Sequence, residues 1–145
     1  MQQIKQITIT TICHATEDPN MVVEAAQHIL PSDCLDDIVF ERDSLRGHHG
    51  NPIILLEAKI KKKEIVQAIM ERLSSGLNGL DKEILLREIG LHVEKGSLYI
   101  RLDKQAALQG EFKLCTADPI RVRIRFGKGR IEDIIEICKG FGISP

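Results

Sequence analysis

Along this chain the spacing of apolar residues switches between two and three-to-four, and each switch marks an element. The run IKQITITTICH, residues 4–14, alternates and is rich in β-branched side chains, which predicts a strand. In ATEDPNMVVEAAQHILP, Val22, Ala25, Ala26 and Ile29 form one helical stripe. Thr16 is its expected N-cap, Glu17, Asp18 and Pro19 suit a first turn, and Pro31 stops it. DDIVFER and PIILLEAKI predict two strands joined by a loop, and Ile65, Val66, Ile69 and Leu73 predict a second amphipathic helix over 62–73. SSGLNG breaks the pattern. LDKEILLREIG then restarts a short helix, with Asp81 as expected cap and Gly90 as expected stop.

The last third returns to alternation. LHVEKGSLYIRL predicts a hairpin turning at Lys95-Gly96, and DKQAALQG a short helix capped by Asp103 and ended by Gly110. FKLC is an expected short edge strand and PIRVRIRF a full one. RIEDIIEICKG predicts a closing helix buried through Ile131, Ile134, Ile135 and Cys138. Neighbouring strands are joined by tight turns or single helices, so the expected class is α+β: a two-layer sandwich, mainly an antiparallel sheet with helices packed on one face. With 145 residues, a single domain over 1–145 can bury a core without disulfide or metal staples.

Composition narrows the function classes. A content of 43% apolar and 28% charged residues argues against a disordered or fibrous chain. The first residues lack a basic-apolar-small leader pattern and no apolar run approaches a spanning length, so a cytoplasmic protein with no membrane partner is expected. Cys13, Cys34, Cys115 and Cys138 are far apart and form no CxxC pair, as suits reduced, mostly buried thiols. The net charge of −1 conceals a local excess, because residues 95–130 hold 9 Lys and Arg against 3 Asp and Glu. That excess suits a polyanion-binding face, and equally a face whose cations pair within the fold.

The strand PIRVRIRF puts Arg121, Arg123 and Arg125 on the face opposite Ile120, Val122, Ile124 and Phe126. Alternate strand residues stand roughly 6.5–7 Å apart, close to the step between phosphates, and guanidinium forks match phosphate oxygens. Lys128 extends this row, Arg101 and Lys104 add cations nearby, and Lys61, Lys62 and Lys63 oppose the dipole of the helix they precede. Tyr99 is the single tyrosine and tryptophan is absent, so base stacking is not the main binding device. RGHHGNPI has the glycines and Asn-Pro of a shaped turn into a strand. Its His48 and His49 suit phosphate or ribose contact beside an RNA face, or simple packing. A metal site would need further ligands, and acid-base catalysis a partner carboxylate, for which Asp103 is the candidate. No metal or cofactor is expected.

Three segments in order, HATEDPNMVVEAAQHILP, GHHGNPIILLEAKI and LYIRLDKQAALQGEFKLCTADPIRVRIRF, resemble the archaeal family described as predicted exosome subunits or RNA-binding proteins. The resemblance implies a fold similar to the large-subunit ribosomal protein that binds the smallest ribosomal RNA, or to a double-stranded-RNA-binding domain. It implies RNA, and the exosome or other RNA-processing proteins, as partners, and carries over no catalytic residue. The expected function is therefore a non-catalytic RNA-binding protein that holds the RNA backbone on a basic strand face. Two other readings stand beside it: a small phosphodiester-cleaving enzyme using the His48-His49 loop, and a protein-interaction subunit without RNA contact. The oligomeric state is not legible.

Overall fold

The computed structural model describes residues 4–47, 49–127 and 130–143; His48 and Lys128, both expected at an RNA interface, lie outside the described residues. The strands are β1 (Ile4–His14), β2 (Glu41–Arg46), β3 (Pro52–Ile60), β4 (Val93–Glu94), β5 (Ser97–Leu102) and β6 (Ile120–Phe126). Of these, β2 shares only residues 41–42 with the expected strand DDIVFER, whose Ile38 and Phe40 instead pack against the core ahead of the exposed edge strand. The helical segments form α1 (Pro19–Gln27), α2 (Lys63–Gly76), α3 (Gly79–Arg87), α4 (Ile89–His92), α5 (Lys104–Leu108) and α6 (Ile131–Gly140). A short 3-10 turn, Ser32–Asp37, precedes β2.

All strand pairs are antiparallel, in one six-stranded open sheet of order β2-β3-β1-β6-β5-β4. Alternation gives the sheet two chemically different faces. Ile7, Ile9, Ala58, Ile60, Leu98, Ile100, Val122 and Ile124 point to one face and are buried under all six helices, which contribute Ala26, Ile69, Leu85, Ile89, Ala107 and Ile134 among others. The other face holds mostly polar alternates, among them Thr8, Thr10, Tyr99, Arg101, Arg121, Arg123 and Arg125, with α3 and α4 reaching its β5 edge. This is the expected α+β architecture with an antiparallel sheet and helices on one side. No helix among the described residues is long and apolar enough to cross a membrane.

Local chemistry departs from expectation mainly at helix ends. Asp18, not Thr16, caps α1, its carboxylate accepting from Asn20 N at 3.0 Å, because Pro19 takes the first helical position. Asn78, not Asp81, caps α3; the Asp81 carboxylate instead accepts from Leu114 N at 3.1 Å, tying α3 to the segment after α5. Gly90 does not stop the chain's helical course, which continues through α4 into the β4–β5 hairpin. That hairpin turns at Lys95 (φ 50°) and Gly96 (φ 79°), as expected. FKLC contributes only the single bridge Leu102↔Leu114, and Ile131 is 39% exposed rather than buried. After α6, Gly142 at φ 86° reverses the chain, Ile143 N–H reaches Cys138 O, and the Ile143 side chain fills the core.

Candidate nucleic-acid interface

The ladder registers place the expected cations. On the open face Arg121, Arg123 and Arg125 stand opposite Arg101, Tyr99 and Ser97 of β5 on one side, and opposite Thr10, Thr8 and Gln6 of β1 on the other. Three guanidiniums crowd around the Tyr99 ring, with Arg121 at 5.4 Å and Arg101 and Arg123 each at 5.8 Å from its centre. Tyr99 therefore serves as a spacer that offers its π face to cations. Arg123 Nε also donates to Ser97 Oγ at 3.0 Å. Among the described residues, no carboxylate oxygen lies within 4.0 Å of any of these four arginines. Two acidic side chains share the row's cross-strand register, each about 10 Å away at two strand spacings: Glu57 on β3, across Thr10 from Arg121, and Glu94 on β4, across Ser97 from Arg125. Glu57 already holds Thr10 Oγ1 and Lys59.

Like charges directly opposite across a ladder destabilise a sheet, and Arg101 faces Arg121 in that way. Hydroxyls and one tyrosine dilute the repulsion without cancelling it. Among the described residues the row thus has no carboxylate partner, and an external polyanion would complete it.

Lys104 does not belong to this row, contrary to expectation. It begins α5, is 8% exposed, and its ammonium points inward among the ends of three strands. There it donates to Ile12 O, to Glu17 Oε1 at 3.1 Å, and to both oxygens of Asp118 at 3.0 and 3.1 Å. His14 Nε2 meets Asp118 Oδ1 at 2.9 Å, and His14 N–H donates to Glu17 Oε1 at the same distance. Burial pushes the Asp118 carboxyl up, but hydrogen bonds from His14 and Lys104 outweigh it and hold the group below its ordinary range. His14, Glu17 and Asp118 present ligand atoms within 4.8 Å of one another, the spacing of a metal site. The Lys104 ammonium already compensates both carboxylates, so a metal ion would have to displace it.

The remaining expected contacts divide by position. Lys61, Lys62 and Lys63 are exposed at the end of β3 nearest Arg125, two strand spacings from the row, and can extend it. The described residues on either side of His48 reverse direction as expected: Gly47 N–H donates to Asn51 O, Gly50 sits at φ 81°, and Pro52 opens β3. This loop lies at the opposite end of β3, roughly 30 Å of strand from the lysines, so His49 does not join the arginine row. Asp103 caps α5 by accepting from Ala106 N at 2.9 Å. It stands three strand spacings from β3, about 14 Å, and is no partner for a loop histidine.

His92, which stands alone in the sequence and reads there as structural, has its Nε2 buried without a hydrogen-bond partner among the described residues. Burial and the neighbouring Arg101 charge push its imidazole below the ordinary range, so it is neutral at pH 7. Only the fold brings His92 against Arg101 and Tyr99.

Comparison with known proteins bears on this face. A family model described as RNA binding matches residues 6–126. The RNA-binding protein PAB1135 of Pyrococcus abyssi is 38% identical over 126 residues, covering 85% of this chain and 82% of that protein. Two solved structures share the fold. Mth689 of Methanothermobacter thermautotrophicus, a DUF54 protein, is 26% identical with a TM-score of 0.79 and covers 97% of this chain and 98% of its own. AF2318 of Archaeoglobus fulgidus, of the same DUF54 family, is 27% identical with a TM-score of 0.81 and covers 95% and 99%.

Proposed function

The chain belongs to the archaeal family described as RNA binding, and from that premise we propose that it holds the RNA sugar-phosphate backbone on the open sheet face, through Arg101, Arg121, Arg123 and Arg125. The observation that carries the reading is a row of four arginines, three of them crowded around Tyr99, with no carboxylate in contact among the described residues. Such crowding is costly in the free protein and is relieved by phosphates. Lys61, Lys62 and Lys63 extend the track at the Arg125 end. Backbone contact predicts steep salt dependence and little sequence preference.

The test is binding of a labelled RNA duplex across a salt series, for the wild type and Arg121/Arg123/Arg125→Ala. The variant is expected to bind more weakly, with a log-log salt slope shallower by about 2 to 3, since each neutralised phosphate contributes roughly 0.7–0.9. Unchanged affinity and slope would refute the reading.

We read the protein as non-catalytic, because Asp103 is committed to capping α5 and His49 lies beyond the end of β3, outside the arginine row. RNA recovered intact after prolonged incubation with purified protein is the expected result. Association with RNA-processing proteins such as the exosome is part of the same proposal. It is favoured by the apolar side chain of Leu45 (48% exposed) on the edge strand β2, three strand spacings from the arginines of β6. Co-purification under native conditions that survives ribonuclease treatment is the outcome expected for such a partner.

A further inference from the structure

At the β5 edge, where α3 and α4 meet the segment after α5, lies a cavity of about 410 Å³. Leu85, Leu91 and Leu114 give it apolar walls, and Glu88, His92, Tyr99 and Arg101 bring polar groups to it, the Arg101 cation offsetting the Glu88 carboxylate. Its size falls in the roughly 300–1,000 Å³ range of small-molecule sites, as does its plan of apolar walls with a few polar groups. Two observations tie it to the arginine face. Arg101 and Tyr99 line the cavity and also belong to the cation–π cluster, so the cavity opens beside the proposed phosphate track. His92 Nε2, moreover, is buried with no partner among the described residues, a cost that a ligand's donor or acceptor would remove.

We infer that this cavity receives the base of a single unpaired nucleotide extruded from an otherwise paired RNA, with the nucleotide's phosphate on Arg101 and its base edge hydrogen-bonded to His92 Nε2 after the imidazole turns that buried atom toward the cavity. The inference rests on the reading of the sheet face as an RNA track. A planar, mostly apolar ring with polar edge atoms suits the leucine walls and the lone imidazole nitrogen. Neutral imidazole can present Nε2 as donor or acceptor, so the site reads the presence of a base more than its identity. A fully paired duplex would use the arginines and leave the cavity vacant. An extruded nucleotide would add the cavity's contacts at the cost of unstacking, which is least for a base that is already unpaired.

The test compares two labelled RNA duplexes differing only by one bulged 2-aminopurine nucleotide. Wild-type protein is expected to bind the bulged duplex roughly tenfold more tightly, equivalent to about 1.4 kcal/mol, and to change the 2-aminopurine fluorescence. His92→Phe, which keeps a ring but removes the nitrogens, is expected to abolish that preference while leaving the paired duplex bound as before. If His92→Phe weakens both RNAs alike, Thr116→Trp, at an exposed position on the cavity wall, decides by the same criterion. Alkylation of Cys115, also on the wall, should slow with the bulged RNA and not with the paired one. Equal affinity for both duplexes with unchanged fluorescence overturns the inference and leaves the arginine track standing. Binding of neither RNA overturns both.

Discussion

Removing the Lys104 ammonium should destabilise the fold without removing a phosphate contact. Lys104→Met keeps most of the stem and deletes the charge. It leaves Ile12 O without this donor and leaves Glu17 and Asp118 as neighbouring carboxylates without their shared cation. Breaking a fully buried ion pair costs about 3–5 kcal/mol, and an exposed pair is worth about 0.2–1 kcal/mol. The Lys104 side chain is 10% exposed, Glu17 29% and Asp118 44%, so this cluster lies between those limits, and about 2 kcal/mol is expected. Urea denaturation followed by circular dichroism gives the number, with RNA affinity measured well below the transition. Adding Asp118→Asn to Lys104→Met should cost less than the separate effects combined, because the two groups share one interaction. A Lys104→Met protein as stable as the wild type but impaired in RNA binding would refute the reasoning and return Lys104 to the interface.

Acid should erase part of this effect. Asp118 is held below its ordinary 3.8 in the folded state, so its contribution is present above that value and is lost as pH falls through the lower folded one. The stability gap between wild type and Asp118→Asn should therefore be steady near neutrality and close below about pH 4. A gap that widens in acid would contradict the assigned partners.

Gly76→Ala places a methyl 2.3 Å from Cδ2 of the buried Phe112 ring, an overlap expected to cost about 1–3 kcal/mol. That outweighs the helix-propensity gain of up to about 1 kcal/mol, so the denaturation midpoint should fall. Sulfate or phosphate should raise the melting temperature of the wild type more than that of Arg121/Arg123/Arg125→Ala, because only the wild type holds the crowded cations. Equal shifts would mean that the row does not take up anions. In native protein, alkylation read by mass spectrometry should mark Cys34 and Cys115 and spare Cys13 and Cys138, with all four marked in denaturant. Burial pushes the Cys138 thiol up to about 12 and also raises Cys115, so labelling at Cys115 should quicken as pH rises.

Most strands and the two faces of the sheet were legible because each depends on a period-two pattern within a few residues; β2 was misplaced because Glu41–Arg46 is exposed along its whole length at the sheet edge and carries no apolar alternation. Arg121, Arg123 and Arg125 share a face by alternation alone, and Lys95-Gly96 is a hairpin turn by its φ requirement. What escaped depends on contacts distant in sequence. Lys104 reads as a cation at a helix start, and nothing near it indicates that Ile12 O, 92 residues away, will accept from its ammonium. Asp81 has the residue type and position of a cap, but Asn78 precedes it and frees it to bond Leu114. His92 looks like a lone structural histidine until β5 places Arg101 and Tyr99 beside it. Neither did the spacing reveal that the arginines lack carboxylate neighbours, since Glu57 and the arginine row are set apart only by the strand order.

The ion cluster and the arginine row also depend on one another mechanically. Ile12, His14 and Glu17 lie at the end of β1 and just beyond it, Lys104 follows β5, and Asp118 precedes β6. One ammonium therefore ties together the ends of the three strands that carry or flank the row. Asp118 sits at φ 49°, a left-handed conformation that costs a non-glycine residue, and its bonds to His14 and Lys104 hold it there. From Asp118 the chain passes through Pro119 directly into β6. A one-residue slip of β6 would turn all three of its arginines into the core and its isoleucines outward. The repulsion between Arg101 and Arg121 works against the β5–β6 pairing, and it is strongest at the end where the cluster grips. Loosening that grip should thus fray β6 from its Ile120 end, visible as faster amide exchange at Arg121 and Val122 than at Arg125 in Lys104→Met, and RNA should reverse the fraying by neutralising the row.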